Sequence, residues 1–327
     1  MAEKKLLVKG TGLRQWFPIK KMFWEKQRYV KAVDGVDIEV YEGETLGVAG
    51  ESGCGKSTLL RTILRVLEPT EGTIEFDGQD ITKLPNRVLR PMRRDMQMIF
   101  QDPYSSLDGN MRVGKIIAEP MVINKIYNSS DERLEKAKEL MVKVGLDASY
   151  VDRFPHEFSG GQRQRIVIAR ALATNPKLVM CDEAVSALDV SVRAQVLNLM
   201  ERLKKEMNLT YVFVSHDMSV LEHICDRVMI MYLGKVMEVG TKDEIFNHPK
   251  HPYTQALLSA VPSATDDGPQ RERIILEGDI PSPVNPPVGC RFRTRCPYAT
   301  ESCGVEPEMT DLGGGHKVAC HLCAKQA

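Results

Sequence analysis

Gly50-Glu51-Ser52-Gly53-Cys54-Gly55-Lys56-Ser57-Thr58 follows the apolar run Thr45-Leu46-Gly47-Val48-Ala49 and leads into a segment of helical period from Ser57 to Leu67. Strand, glycine-rich turn and helix in that order are the context that the phosphate-loop pattern G-x-x-x-x-G-K-[ST] requires. Gly50, Gly53 and Gly55 let the backbone N–H groups of the loop, Ser52 and Cys54 among them, close around phosphate oxygens. The helix that opens at Lys56, Ser57 and Thr58 adds its dipole. In this reading Lys56 reaches the β- and γ-phosphates and the Ser57 hydroxyl ligates Mg²⁺.

A second motif answers the first further along the chain. Leu178-Val179-Met180-Cys181-Asp182-Glu183 is an apolar strand ending in two acids, an order in which Asp182 holds Mg²⁺ through water and Glu183 polarises an attacking water. From Leu6 to Pro262, short apolar runs such as Tyr211-Val212-Phe213-Val214 alternate with helical stretches such as Ser191 to Lys205, which predicts an α/β protein with buried, largely parallel strands. The segment Asp131 to Val144 predicts an exposed amphipathic helix. With 44 Lys+Arg against 44 Asp+Glu the net charge is zero, which removes the electrostatic case for a nucleic-acid binder. No apolar run approaches the length of a membrane span, and Leu6-Leu7-Val8 is too short for a signal-peptide core, so a cytoplasmic, uncleaved protein is expected.

Phe158-Ser159-Gly160-Gly161-Gln162-Arg163-Gln164-Arg165 precedes the second motif and opens an apolar-periodic helix, Ile166 to Ala173. This stretch resembles the LSGGQ signature of the ATP-binding-cassette (ABC) family, with Phe158 in place of the usual Leu. The resemblance implies an ABC-type P-loop NTPase: a RecA-like core with an antiparallel β subdomain and a helical subdomain, plus a small Cys-rich C-terminal extension. It implies that Ser159, Gly160, Gly161 and Gln162 bind the γ-phosphate of ATP held by a second subunit in a head-to-tail dimer. Gln101, in Phe100-Gln101-Asp102-Pro103, resembles the Q-loop that senses Mg²⁺ and the attacking water. Asp189, in Ser186-Ala187-Leu188-Asp189, matches the D-loop, and His216, in Val214-Ser215-His216-Asp217, matches the switch histidine. By spacing from Leu13, Phe17 fits the adenine-stacking position, with Trp16 and Tyr29 as competitors across an insertion from Ile19 to Gln27. Ala184 departs from the family's Pro after the glutamate, and only a local backbone consequence is expected. The complete set implies ATP hydrolysis.

Lys56 and Ser159 leave no room between them for a long coiled coil, and there is one cassette, which favours a transporter motor over a soluble DNA-repair or translation machine. His248-Pro249-Lys250-His251-Pro252-Tyr253-Thr254-Gln255-Ala256-Leu257-Leu258, Glu277-Gly278-Asp279-Ile280-Pro281-Ser282-Pro283 and Gly289-Cys290-Arg291-Phe292 look like the C-terminal extension of oligopeptide and dipeptide importer ATPases. With Leu67-Glu68-Pro69-Thr70-Glu71-Gly72 and Asp102-Pro103-Tyr104-Ser105-Ser106-Leu107, the match is to the F-type subunit of that family. The domains expected are residues 1–250, the ATPase, with a helical subdomain at about 102–170, and residues 251–327, the extension. Partners implied are a second ABC ATPase subunit, two transmembrane permeases and, indirectly, an extracellular solute-binding protein, at the cytoplasmic face of the membrane. Nickel and glutathione importers are the alternative.

Six of the 18 prolines, Pro262, Pro269, Pro281, Pro283, Pro286 and Pro287, predict an irregular linker. It wraps a tail, Gly289 to Cys323, too small to bury a core and therefore expected to need a staple. Cys290, Cys296, Cys303 and Cys320 are separated by 5, 6 and 16 residues, unlike the paired C-x₂-C of structural zinc, although Cys320-x₂-Cys323 makes one half-site. Irregular loop spacing suits a 4Fe-4S cluster, with Arg291, Arg293 and Arg295 offsetting the thiolate charge. Members of the importer family carry such a cluster at the matching cysteines, with zinc and free thiols as the alternatives. Cys54, Cys181 and Cys225 read as small buried residues. The basic run Lys83, Arg87, Arg90, Arg93, Arg94 reads as a solvated face, and the insertion Lys20-Lys21-Met22-Phe23-Trp24 as a hairpin.

Overall fold

The structure is a computed structural model, and it describes residues 5–22, 24–261 and 273–324. Phe23, Pro262 and Pro269 lie outside the described residues. In chain order, β1 (Leu6–Pro18), β2 (Tyr29–Tyr41), β3 (Thr45–Ala49) and α1 (Lys56–Ile63) lead to β4 (Glu71–Phe76), β5 (Gln79–Asp80), α2 (Asn86–Met92) and β6 (Met96–Ile99). Next come α3 (Val113–Ile123), α4 (Ser130–Lys143), α5 (Gly160–Leu172), β7 (Leu178–Asp182), α6 (Val190–Met207) and β8 (Thr210–Val214). The chain closes with α7 (Met218–Ile224), β9 (Arg227–Tyr232), β10 (Lys235–Thr241), α8 (Lys242–Asn247), α9 (Pro252–Ser259), β11 (Thr310–Asp311) and β12 (Lys317–Val318). Two compact units share the chain, one formed from 41–44 and 83–214 with Lys5, the other from 6–40, 45–82 and 215 onward.

In the first unit β6, β7 and β8 form parallel ladders, Met96 opposite Leu178 and Leu178 opposite Thr210. Every residue of β7 and β8 is buried, as strands covered on both faces require. Each buried Val, Leu or Met side chain contributes about 1.5–3 kcal/mol relative to exposure. Helices α3, α4 and α5 make up the rest of this unit together with α2 and α6. The predicted amphipathic helix is α4, which buries Ala137 and Met141 while its charged residues stay outside, and Ser129 caps it by accepting from Glu132 N–H. Of the basic run, Lys83, Arg87, Arg90 and Arg94 are exposed and Arg93 is half-buried.

In the second unit β2, β1, β4 and β5 lie side by side in one sheet, β1–β4 and β4–β5 pairing antiparallel, with Val8 opposite Phe76. A second set runs β11, β12, β10, β9, β3, in which β3 and β9 are parallel and the others antiparallel. The β9–β10 hairpin turns at Leu233 and Gly234, both at positive φ, the conformation that a two-residue hairpin demands. Gly234 N–H then donates to Cys54 O at 2.9 Å, so the hairpin supports the phosphate loop. The insertion after β1 is a short hairpin closed by Ile19 N–H to Arg28 O at 2.9 Å, with Met22 and Trp24 exposed.

Two expectations change here. The helix predicted from Ser57 to Leu67 stops at Ile63, because Arg65 takes a left-handed backbone (φ 54) and turns its side chain inward, Nε donating to Ile81 O at 3.0 Å. The tail does not stand by itself on a staple. Phe292 is fully buried among Tyr232, Tyr253 and His251, β12 pairs with β10, and His316 Nε2 lies 2.7 Å from the fully buried Glu238 carboxylate. Residues 273–300 form no helix or strand, as their prolines predict.

Candidate nucleotide and thiol sites

The phosphate loop belongs to the second unit. All five residues of β3 are buried, and the backbone must then turn sharply into α1. Gly50, Gly53 and Gly55 supply that turn at φ 147, 78 and 108. A Cβ on Gly55 would stand 2.0 Å from Ala32 O, and one on Gly50 2.2 Å from Met231 O, so neither position admits a side chain. Ser52 and Gly53 at the tip are exposed, while Lys56 beneath them is 5% exposed. Its ammonium donates to Gly50 O at 2.7 Å and Glu51 O at 3.0 Å, and Cys54 Sγ lies 3.9 Å away. Burial raises the Cys54 thiol, which stays a small neutral filler. Ser57 and Thr58 open α1, with Thr58 O accepting from Thr62 Oγ1 at 2.8 Å.

His216 is exposed on the loop before α7. That loop is tied to β3 by Ser215 N–H to Val48 O at 3.3 Å, and Ser215 Oγ accepts from Asp217 N–H at 3.0 Å. The strand that leads into the phosphate loop therefore also anchors the loop that bears His216.

In the first unit β7 delivers Asp182, 4% exposed, and the next residue breaks the strand. Glu183 has φ 50, a left-handed backbone uncommon for a side-chain-bearing residue, held by its N–H to Val214 O at 3.1 Å and by Ser186 Oγ donating to its carbonyl at 2.9 Å. Gln101 Nε2 donates to Glu183 Oε2 at 3.0 Å, so Gln101 and the strand-end glutamate meet side chain to side chain. Asp102 anchors the turn that follows by accepting from Tyr104 and Ser105 N–H, which holds its carboxyl below the ordinary value, Tyr104 contributing most. Ala184 is buried behind Glu183.

Phe158 is buried against the edge of Tyr150, ring centroids 6.1 Å apart. Ser159 caps α5: its Oγ accepts from Gln162 N–H at 3.3 Å and Gln162 Oε1 accepts from Ser159 N–H at 3.0 Å. Gly161 faces Val192, where a Cβ would meet Cγ1 at 2.4 Å. Asp189 is exposed at the start of α6.

Phe17 is half-buried at the end of β1. Its neighbour Trp16 is already engaged: Nε1 donates to Asp34 Oδ1 at 3.1 Å, the Lys31 ammonium sits 5.0 Å from the ring centre, and Tyr29 packs at 6.1 Å. Both competitors for the adenine position thus hold each other.

The tail brings Cys290, Cys296, Cys303 and Cys320 within electrostatic reach of one another. Cys290 N–H donates to Cys303 O at 3.0 Å. Burial, reinforced by the other three thiols, pushes the Cys290 thiol up to about 11, and burial also raises Cys296. Cys320 is lowered to about 6 by the hydrogen bond from Cys323. Among the described residues, no group of three or more His, Cys, Asp or Glu is placed to hold a metal ion, so the zinc half-site at Cys320 and Cys323 has no third ligand. The arginines expected to offset thiolate charge are engaged elsewhere. Arg291 forms a buried ion pair with Asp34, Arg295 Nη1 donates to Glu51 Oε2 at 2.8 Å, and Arg293 Nη1 to Val288 O at 3.1 Å. A carboxylate in a partly dry site binds a guanidinium bidentately or end-on more strongly than a neutral thiol does, and those two carboxylates lie in range.

The profile described as ABC transporter matches residues 33–186, and that described as oligopeptide/dipeptide transporter, C-terminal region, matches residues 237–303. The chain is 53% identical to the oligopeptide transport ATP-binding protein AppF of Bacillus subtilis, covering 98% of both chains. It is 52% identical to the dipeptide transport ATP-binding protein DppF of Escherichia coli, covering 96% of this chain and 93% of that one. The chain belongs to the ATP-binding subunits of ABC peptide transporters. Among solved structures, the dimeric ATP-binding cassette MJ0796 bound to ADP and Pi superposes with a TM-score of 0.63 at 29% identity, covering 72% of this chain and 99% of that one. The cassette cbiO1 of Clostridium perfringens gives 0.65 at 25% identity, covering 75% and 92%. The ABC cassette fold expected from the signature is thus the fold observed. Within this ABC subunit, three residues to which the sequence assigned no part in holding the phosphate loop do so: Glu51, inside the quoted loop motif; Tyr253, in the marked stretch His251-Pro252-Tyr253; and Arg295, read from sequence as a counter-charge for the thiols.

Proposed function

We propose that this subunit hydrolyses MgATP by positioning and charge neutralisation and so drives import of dipeptides or oligopeptides through two membrane permeases. The observation that carries this reading is Gln101 hydrogen-bonded to Glu183, with Glu183 held in a left-handed backbone at the end of a buried strand. An ordinary strand end has no reason to hold that conformation against its cost of roughly 1–3 kcal/mol. Lys56 exchanges the Gly50 and Glu51 carbonyls for β- and γ-phosphate oxygens when ATP enters. Ser57, Asp182 and Gln101 would hold Mg²⁺, which when bound neutralises the phosphate charge. Glu183 orients and polarises the attacking water, and His216 hydrogen-bonds the γ-phosphate. Phe17 stacks on adenine.

Ser159, Gly160, Gly161 and Gln162 are exposed or half-exposed and face the ATP of a second ABC ATPase subunit, with Asp189 crossing that head-to-tail interface. Residues 1–250 act as the ATPase domain and 251–327 as the importer extension. Among the described residues no helix is long and apolar enough to cross a membrane, which supports peripheral attachment at the cytoplasmic face through the permeases. The names of the relatives favour peptides over nickel or glutathione. In the assembled importer, Glu183→Gln removes the water-polarising charge: turnover should fall about 10²–10⁴-fold while ATP binding persists. Turnover at the wild-type rate would remove Glu183 from this role.

Cys290, Cys296, Cys303 and Cys320 are the residues that would hold a 4Fe-4S cluster. The support is a set of four thiols that perturb one another electrostatically. Four irons and four acid-labile sulfides per chain in anaerobically purified protein, lost in Cys296→Ser, are expected; no iron would overturn the assignment.

A further inference from the structure

We propose that Arg295 and Tyr253, both from the C-terminal extension, are positioning residues for the phosphate loop, clamping Glu51 and thereby setting the affinity for ATP. The proposal rests on the reading of residues 50–58 as the ATP phosphate cradle.

Glu51 is the one acidic residue in that loop. A free carboxylate there would repel the triphosphate that the loop exists to attract, with little screening in a partly dry site. Arg295 Nη1 meets Glu51 Oε2 at 2.8 Å, with the two side chains 9% and 23% exposed, so the charge is compensated before ATP arrives. Arg295 is in turn held beside Tyr232, its guanidinium 6.0 Å from the ring centre, and its N–H donates to Phe292 O at 3.0 Å.

The two peptide groups that flank Glu51 are each held. The Glu51 N–H donates to the Tyr253 hydroxyl at 2.9 Å, and the Glu51 carbonyl accepts from Lys56 at 3.0 Å. Tyr253 is fully buried, packed between Tyr232 at 4.8 Å and Phe292 at 5.2 Å, so its hydroxyl cannot drift. An amide given to Tyr253 is not a phosphate donor; it fixes the plane of the Gly50–Glu51 peptide, whose carbonyl, Gly50 O, accepts from Lys56 at 2.7 Å. Every polar group of Glu51 is therefore engaged, and two of the three are engaged by residues more than 200 positions away in the chain. A tail that merely packed against the core would not need to reach this particular residue with both a charge and a hydroxyl.

The test is MgATP titration of the full chain, read beside the thermal midpoint, with steady-state turnover of the assembled importer. Arg295→Ala should weaken ATP binding about 10-fold and raise KM by the same factor, with kcat at saturation within about twofold. In a Glu51→Gln background, Arg295→Ala should shift affinity by less than about twofold, because the charge that Arg295 answers is gone. Tyr253→Phe, which removes one oxygen and no packing, should weaken binding about three- to fivefold. Arg295→Ala binding ATP like wild type, or weakening it equally in both backgrounds, overturns the charge clamp. If Arg295→Ala does not yield folded protein, Tyr253→Phe carries the test, and wild-type affinity in that variant overturns the proposal. Failure of the wild-type chain to bind ATP would instead overturn the reading of the loop, and the clamp with it.

Discussion

The phosphate loop, residues 50–58, and the thiol tail, residues 289–323, are both short, glycine- and cysteine-bearing segments of the same compact unit, yet they use their sequences in opposite ways. In the loop, Gly50, Gly53 and Gly55 together build one sharp turn into α1, so order along the chain is already order around the site. In the tail, alternate residues serve different ends: Cys290 and Cys296 face the other thiols, Arg291 goes to Asp34, Phe292 enters the aromatic cluster and Arg295 reaches Glu51. A contiguous motif can be read by pattern; a segment whose neighbours diverge can be read only from where its targets lie.

The comparison breaks most readily at Arg291. Its partner Asp34 is equally buried and also accepts from Trp16, with Arg14 Nε at 3.6 Å, so Arg291→Ala leaves a carboxylate that is only partly satisfied. The low end of the about 3–5 kcal/mol typical of a broken buried pair is expected, measured by denaturant unfolding of the full chain. A loss below about 0.5 kcal/mol would show the tail to be energetically detached. At the loop, Lys56→Ala removes the buried ammonium beneath the glycine turn and should weaken ATP binding roughly 30–100-fold, with a much smaller change in unfolding free energy, by titration. If stability falls and affinity does not, the loop is structural like the tail.

A third effect concerns acid. His251 is buried, its Nδ1 accepts from Tyr253 N–H at 3.0 Å, and burial lowers its pKa to about 3. The unfolded chain takes up this proton near pH 6.5 and the folded chain does not until about 3, so stability falls as pH drops through that window. The slope from this one group is at most about 1.4 kcal/mol per pH unit. His251→Gln should flatten the curve between pH 6.5 and 4 when unfolding is followed against pH; an unchanged slope would show that other groups govern the acid limb.

Much of the site was legible because its parts are punctuated locally. Gly50, Gly53 and Gly55 announce backbone conformations that other residues avoid, and Asp182-Glu183 at the end of an apolar run announces a buried strand that stops at chemistry. The capping pair Ser159 and Gln162 is likewise a three-residue signal that the structure repeats. The end of α1 was not legible, since Arg65 ends the helix by reaching the carbonyl of Ile81, 16 positions on. Nor were the roles of Arg291 and Arg295, which look like natural counter-charges for the cysteines beside them.

From its sequence alone this chain determined the cassette fold and the glycine-rich turn that opens α1, because those depend on helix and strand periods, on glycine conformations and on motifs whose members sit within a few residues. The tertiary structure alone decided that Glu51 is held by Arg295 and Tyr253, that Trp16 is committed to Asp34 and Lys31, and that the tail packs on the core. Those choices depend on which charges and rings burial brings within a few ångströms, and chain order carries no distance across 200 residues.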